Sequence, residues 1–326
     1  MREIYLYEGM YEAITEEMRR DEKVFLTGES ITAEGILPIR PPKGIMEEFG
    51  ENRVRETGII EQMLAAGSAG AAMAGMRPIV DFMQVDFMFP AWNEILQSGL
   101  WRSGHGGAEN LSVPVVYIGG IMAYSGGGFS HARVPIANVW HGPGLKLVLP
   151  TTPYDTKGLL KTAVRDDNPV VFLPHRLQYR TKGPVPEEEY LIPFGEAKIR
   201  REGKDVTIVA ISYMVDLSLE TAEALEQERI SAEVIDPRTL EPLDIDTILA
   251  SVEKTGRLVV VDEDYIRCGV GAEIAFQVQE KLFKSLKAPV QRVGNPNTPV
   301  PVARKLMEAV MPTKEKITAA VIKTLA

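Results

Sequence analysis

Cysteine and histidine are scarce in this sequence, and their scarcity excludes several kinds of site. The single cysteine, Cys268, cannot form an internal disulfide, which favours a reducing, cytoplasmic compartment. Only four histidines occur, and no two of them have a zinc-ligand spacing beside a cysteine or in a His-Glu-x-x-His pattern. A zinc site is therefore not expected.

Long apolar runs and an excess of positive charge are also missing. No run reaches membrane-spanning length, and residues 1–20 lack the apolar centre of a signal peptide. The net charge of -9 argues against general binding of nucleic acid. No Gly-x-Ser-x-Gly elbow occurs, and no Lys-Ser/Thr pair follows the glycines at 126–128. These absences predict a soluble, cytoplasmic protein without membrane or nucleic-acid partners.

Alternating strand and helix patterns run through the 326 residues. Apolar runs of strand length, such as Val113 to Ile118, alternate with segments of helical spacing, and this predicts parallel sheets covered on both faces. Between Thr181 and Pro193 the composition changes, with three prolines and the run Glu187 to Glu189. We therefore expect two α/β domains, at residues 1–185 and 186–326.

Several local features are specific enough to check. The Gly- and Pro-rich section from Ser30 to Pro42 predicts an irregular surface segment. Val85 to Trp101 has helical spacing, and the closing Leu306 to Leu325 predicts a helix broken at Pro312.

Glu61 stands at the head of a run made almost wholly of small and apolar residues, ending at Gly75. We expect this run to be a helix that packs against other backbone on most sides. A carboxylate there would be desolvated and suited to exchanging a hydrogen bond or proton with a docked molecule. The alternative is that Glu61 only favours the helix N-terminus by its charge.

His131 follows three glycines in a loop after a predicted strand, where its imidazole could reach a ligand. His141, beside a Gly-Pro-Gly turn, has a similar setting, and each could be only a polar turn residue. His105 and His175 favour that simpler interpretation. The residues alone thus predict a two-domain α/β protein with a notable carboxylate and a histidine loop, and leave the reaction open.

The chain resembles the β subunit of the E1 component of thiamine-diphosphate-dependent 2-oxo acid dehydrogenase complexes, which act on pyruvate, branched-chain 2-oxo acids or acetoin. The resemblance runs nearly end to end, and its motifs are Glu61 with Gly67 to Pro78, Asp81-Phe82-Met83 with Asp86-Phe87, His141 to Lys146, Thr152 to Leu160, Arg165 to Phe172 and Ile235 to Asp244.

The resemblance implies a pyrimidine-binding domain followed by a transketolase C-terminal-like domain. In that family the glutamate matching Glu61 hydrogen-bonds ring nitrogen N1′ of thiamine diphosphate and favours its imino tautomer. Met83 and Phe87 match positions at the pyrimidine, and His131 matches a histidine implicated in acyl transfer to lipoamide. A potassium site of some members matches Val115, Ala163, Asp166 and Asn168.

The resemblance also implies partners. The Gly-Asp-Gly run with a later Asn that holds the diphosphate through Mg²⁺ does not occur in this sequence. An E1 α subunit is therefore expected to supply that half of the site in an α2β2 heterotetramer, and the chain alone is expected to be inactive. The acyl acceptor would be the lipoyl domain of the E2 acyltransferase.

Some positions depart from the family pattern. Ala132-Arg133 follow the loop histidine where Ser-Gln is usual, Pro90 replaces a frequent Gln, and Ile118 replaces a frequent Arg. These changes leave the substrate open, and we expect Arg133 to offer a cation to a substrate carboxylate.

Alternative functions remain at this point. The chain could belong to an acetoin-cleaving E1, to a split transketolase-like carboligase, or to a non-catalytic subunit that docks an E2 core. Whether the carboxylate of Glu61 is required for turnover separates catalysis from scaffolding.

Overall fold

The computed structural model describes residues 1–31, 44–109 and 111–326, without the side chains of 105–109. Most of the irregular segment expected from Ser30 to Pro42 lies outside the described residues. Mutual packing divides the chain into a first unit, Met1–Met122 with Asn138–Phe194, and a second unit, Ala123–Ala137 with Gly195–Ala326. The linear boundary after residue 185 stays a prediction, and the two divisions differ at residues 123–137 and 186–194.

Strands and helices alternate along both units. The strands are β1 (Arg2–Tyr5), β2 (Val24–Glu29), β3 (Val54–Thr57), β4 (Arg77–Gln84), β5 (Val116–Gly120), β6 (Lys146–Val148), β7 (Val170–Phe172), β8 (Lys182–Val185), β9 (Lys198–Arg201), β10 (Val206–Ala210), β11 (Ala232–Asp236), β12 (Thr239–Glu241), β13 (Leu258–Tyr265) and β14 (Gln291–Asn295). The helices are α1 (Leu6–Arg20), α2 (Ile45–Phe49), α3 (Glu61–Met73), α4 (Trp92–Glu109), α5 (Ile136–Trp140), α6 (Pro153–Arg165), α7 (Met214–Gln227), α8 (Ile245–Thr255), α9 (Val270–Leu282), α10 (Arg304–Val310) and α11 (Lys314–Leu325).

The main sheet of the first unit is parallel, in the order β6-β7-β5-β4-β2-β3. Every residue of β2 and β5 is buried. Alternate residues such as Leu26, Ile79 and Ile118 join the core formed with α1 and α6, so the residues between them face the other side. Both faces are covered, which confirms the predicted fold class.

Local sequence explains where the covering helices lie. Helix α1 carries Leu6, Met10 and Ile14 at a spacing of four residues, and all three are fully buried. Helix α6 begins after Thr152, whose hydroxyl accepts a hydrogen bond from the backbone N–H of Asp155 at 3.1 Å. Pro153 opens the helix, where the missing N–H costs nothing.

The second unit has a sheet in the order β14-β13-β10-β11-β9, parallel except for β9. Val206, Ile208 and Val259 form its core with Ile317 and Val321 of α11. Strand β10 therefore lies between strands that follow it in sequence on either side.

Two local expectations were tested directly. The break at Pro312 is confirmed, because α10 ends at Val310 and α11 begins at Lys314. The helical spacing from Val85 to Trp101 corresponds to two elements: a 3₁₀ turn covers Val85–Met88, and α4 begins at Trp92. Pro90 lies between them and has no N–H with which to continue a helical ladder.

Within residues 1–31, 44–109 and 111–326, no helix combines the length and apolar character needed to cross a bilayer.

Candidate functional site

Three adjacent strands of the first unit end beside one another at one edge of the sheet. Strands β2 and β3 are in parallel register with Glu29 opposite Thr57, and β4 pairs with the other side of β2. Glu29 ends β2, and Glu61 begins the helix that follows β3. The carboxyl ends of parallel strands are where α/β sheets build ligand sites.

Glu61 is the first residue of α3 and is half-buried. Its neighbours Ile59, Ile60 and Met63 are exposed to 76%, 53% and 60%. One face of α3 is buried, through residues such as Leu64 and Ala65, and the other is uncovered. In the chain by itself α3 packs on one side and Glu61 is only partly desolvated; its packing on most sides stays a prediction.

Glu29 is a second carboxylate that the sequence analysis missed. Its side chain is 3% exposed, and Oε1 has no hydrogen-bond partner among the residues that the structure describes. Burial, and secondarily the charge of Glu61, raises the pKa of the Glu29 carboxyl above its ordinary value. The available signal was a carboxylate ending an otherwise apolar, fully buried strand.

Met83 and Phe87 lie at the carboxyl end of β4. Met83 has a left-handed backbone (φ 61°), and its N–H donates to the carboxylate of buried Asp81 at 2.8 Å. Such a conformation costs a bulky residue about 1–3 kcal/mol, so the surrounding structure must enforce it. Phe87 is half-buried on the 3₁₀ turn that follows. The side chains of Met83 and Phe87 thus offer apolar surface at the end of β4 that carries Asp81.

The predicted site residues His131 and Arg133 belong to the second unit. His131 is exposed, and its Nδ1 lies 2.8 Å from the hydroxyl of Ser130. Arg133 is half-buried, next to fully buried Ala132. His175, by contrast, is buried, and its Nδ1 accepts a hydrogen bond from the N–H of Leu177 at 3.2 Å.

The residues proposed to bind potassium meet at the opposite edge of the first sheet. The carbonyl of Val115 accepts from Val170 N–H at 2.9 Å, and that of Ala163 accepts from Asp166 N–H at 3.3 Å. Asn168 donates its N–H to the Asp166 carboxylate at 2.8 Å. These carbonyl oxygens each keep a second lone pair, as a monovalent cation requires.

Two positive side chains already contact Asp166. Arg77 donates to its carbonyl oxygen at 3.0 Å, and Lys146 pairs with its carboxylate. A potassium ion here would add a third positive charge, and its repulsion from the other two disfavours potassium binding. Potassium binding stays a prediction.

The residues at the first edge fit an aminopyrimidine ring better than a metal ion. Half-buried Glu61 can exchange a hydrogen bond with a ring nitrogen, while Met83 and Phe87 can pack on an apolar face. Across the described ranges, no group of three or more His, Cys, Asp or Glu side chains is arranged to hold a metal. A diphosphate bound through Mg²⁺ would need ligands that we have not identified in the described residues.

Two family models match the chain. Residues 3–182 match the transketolase pyrimidine-binding domain, and residues 195–317 match the transketolase C-terminal domain. A solved structure titled split gene transketolase, inactive beta4 tetramer, has a TM-score of 0.79 over 99% of this chain and 98% of its own, at 24% identity. That likeness supports the fold.

Curated relatives align along almost the whole chain. The acetoin:2,6-dichlorophenolindophenol oxidoreductase subunit beta of Cupriavidus necator is 42% identical, over 99% of this chain and 98% of its own length. The pyruvate dehydrogenase E1 component subunit beta of Rickettsia felis is also 42% identical, over 98% of each chain. The 2-oxoisovalerate dehydrogenase subunit beta of Bacillus subtilis is 39% identical, over 94% of each chain.

Proposed function

This chain belongs to the E1 β-subunit family of thiamine-diphosphate-dependent 2-oxo acid dehydrogenases, and we propose that it provides the pyrimidine side of a site that decarboxylates a 2-oxo acid and passes the acyl group to lipoamide of E2. The observation that carries the proposal is the position of Glu61. It lies at the head of a helix with an uncovered face, beside the buried carboxylate of Glu29.

Bound thiamine diphosphate would supply the electron sink for decarboxylation. Glu61 would hold a hydrogen bond to the pyrimidine nitrogen, and closure of the uncovered face would desolvate its carboxyl group. Met83 and Phe87 would pack on the ring and exclude water. His131 would move a proton during acyl transfer, and Arg133 would bind the substrate carboxylate.

An E1 α subunit is the proposed partner at the uncovered face of α3. Apart from Gln62, the exposed residues of α3 are small or apolar: Met63, Ala66, Gly67, Gly70 and Met73. Such surfaces mark interaction sites. The α subunit would supply the Mg²⁺ and diphosphate ligands in an α2β2 assembly. The lipoyl domain of E2 would be the acceptor of the acyl group.

Acetoin cleavage is a second candidate. The relative named for acetoin and the relative named for pyruvate are both 42% identical to this chain. Sequence identity therefore does not rank the two substrates.

The test is reconstitution with a candidate α subunit, followed by a panel of pyruvate, 2-oxoisovalerate and acetoin read through an artificial electron acceptor. We expect thiamine-diphosphate-dependent turnover by the complex and none by this chain alone. Turnover by the purified chain, or no turnover on any of the three by a well-formed complex, contradicts the proposal.

In the active complex, Arg133→Ala should raise the KM for a 2-oxo acid more than it lowers kcat.

A further inference from the structure

The segment that carries His131 and Arg133 packs against the rest of the second unit at three places. We propose that Tyr124, Gly128 and Asp264 are positioning residues that hold residues 123–137, here named the anchored segment, in one conformation. The inference rests on the proposed function, because it gives the segment its catalytic importance.

Tyr124 anchors the beginning of the segment. Its hydroxyl donates to the carbonyl oxygen of Pro312 at 2.9 Å, and its ring meets that of Tyr213 edge-on, with centroids 5.8 Å apart. Tyr124 also has a left-handed backbone (φ 61°), which a bulky residue keeps only when its contacts enforce it. Burial raises the pKa of Tyr124, so the hydroxyl keeps its proton and remains a donor.

Gly128 anchors the middle. It is buried and left-handed (φ 69°), and a Cβ at this position would lie 2.7 Å from Cγ2 of Val302. A side chain at residue 128 would therefore crowd Val302 and would also be strained by the left-handed backbone. The carbonyl of Gly128 then accepts the N–H of His131 at 3.2 Å, which ties the histidine backbone to the anchor.

Asp264 anchors the end. One carboxylate oxygen accepts the N–H of Ala137 at 2.8 Å, and the other accepts the N–H of Tyr265 at 2.7 Å. The Asp264 side chain is 4% exposed, so these bonds are shielded from water. Because both oxygens are engaged, the carboxylate fixes Ala137 relative to β13.

Residues 129–131, the tip of the segment, lie in solvent, whereas Ala132, Val134 and Ile136 beyond it are buried. Phe129, Ser130 and His131 are exposed, so burial does not fix the direction of the imidazole. A displacement of about 1 Å at a reacting group can cost 100-fold in rate. In this proposal the anchors position the backbone that carries the exposed tip.

The anchoring can be measured by amide hydrogen exchange of residues 123–137, in the full-length chain alone and with its α partner. The variants are Tyr124→Phe, Gly128→Ala, Asp264→Ala and Asp264→Asn. Asp205→Ala is the matched control, because it also removes a carboxylate that accepts a backbone N–H, here from Ser231 at 2.8 Å, elsewhere in the same unit. Thermal unfolding of each variant reports whether the fold survives.

We expect Asp264→Ala and Gly128→Ala to accelerate exchange in the segment by about 10-fold, with smaller effects in Tyr124→Phe. Asp264→Asn should restore part of the protection, because its amide oxygen can still accept from Ala137. Asp205→Ala should leave the segment unchanged. Normal exchange in folded Asp264→Ala and Gly128→Ala chains overturns the proposal.

Activity gives the second readout. In the complex at saturating 2-oxo acid, which offsets weaker substrate binding through Arg133, the anchor variants should lower acylation of a lipoyl domain more than decarboxylation read with an artificial electron acceptor, because His131 is assigned to the transfer step. Equal loss in both reactions contradicts a positioning role. If the wild-type complex turns over no substrate, the proposed function fails, and the exchange data still decide the anchoring.

Discussion

Gly67 and Gly70 of helix α3 and Gly203 and Gly294 of the second unit have opposite surroundings. A Cβ on Gly67 or Gly70 would meet no atom within 4 Å among the described residues. A Cβ on Gly203 would overlap the backbone of Ala232 and Glu233, and one on Gly294 would lie 3.0 Å from the carbonyl oxygen of Asp264. The second unit uses these glycines for its own packing.

Helix α3 gains nothing comparable from its glycines. Each glycine in a helix interior costs about 0.5–1 kcal/mol relative to alanine. Under the proposed function, a partner backbone that approaches closely would provide the compensating contact. The comparison thus contrasts glycines that serve packing within one unit with glycines that we propose to face a partner.

The largest effect is expected at the first residue of that helix. Glu61→Gln should lower thiamine-diphosphate-dependent turnover of the reconstituted complex by about 10²–10⁴-fold, as for the loss of a general acid–base group. Glu56→Gln, at an exposed position of β3, is the control and should be near wild type. Full activity of Glu61→Gln would show that this glutamate serves only the helix N-terminus.

Filling the uncovered face should block assembly without unfolding the chain. Gly67→Leu is expected to weaken binding of the α partner at least about 30-fold, because a side chain at a central interface position can cost 2 kcal/mol or more. The purified variant should keep its circular dichroism spectrum, since the site is open. Ala319→Leu, at an exposed position of α11, is the matched control. Unchanged affinity of Gly67→Leu would remove α3 from the interface.

Replacement of glycine by alanine should have opposite effects on the free energy of unfolding in the second unit and in helix α3. Gly203→Ala should lower the free energy of unfolding by about 1–3 kcal/mol, because the backbone must shift to admit the methyl group. Gly67→Ala in the chain alone should raise it by about 0.5–1 kcal/mol. Urea denaturation measures both, and a loss of stability in Gly67→Ala would contradict the comparison.

The smallest effect concerns Glu29. Its folded-state pKa is raised, so its contribution to stability is fully present below the ordinary value of 4.5 and is lost as the pH rises through the folded pKa. Glutamine does not ionise, so Glu29→Gln does not undergo this loss. The free energy of unfolding of the variant should therefore rise relative to that of the wild type between pH 5 and pH 8. Urea denaturation at both pH values tests this, with exposed Glu223→Gln as the control. If the difference in free energy of unfolding between variant and wild type is the same at both pH values, ionisation of Glu29 does not destabilise the fold.

Sequence by itself determined the local elements and the family. The spacing of Leu6, Met10 and Ile14 sets α1, Pro312 separates the last two helices, and the motif around Glu61 carries the resemblance. Such features depend on neighbours within a few residues, so a linear pattern records them. It also indicated Glu61 and His131 as the residues to test.

Only the tertiary structure decided which distant residues meet. The pairing of Arg2–Tyr5 with Lys182–Val185, the proximity of Glu29 and Glu61, and the bond between Asp264 and Ala137 join residues far apart in the sequence. Strand order and chain crossings create these contacts, and no local periodicity encodes them. The sequence did not predict the open face of α3 for the same reason. A run of small residues does not show whether the surface that packs against it belongs to the same chain or to a different one.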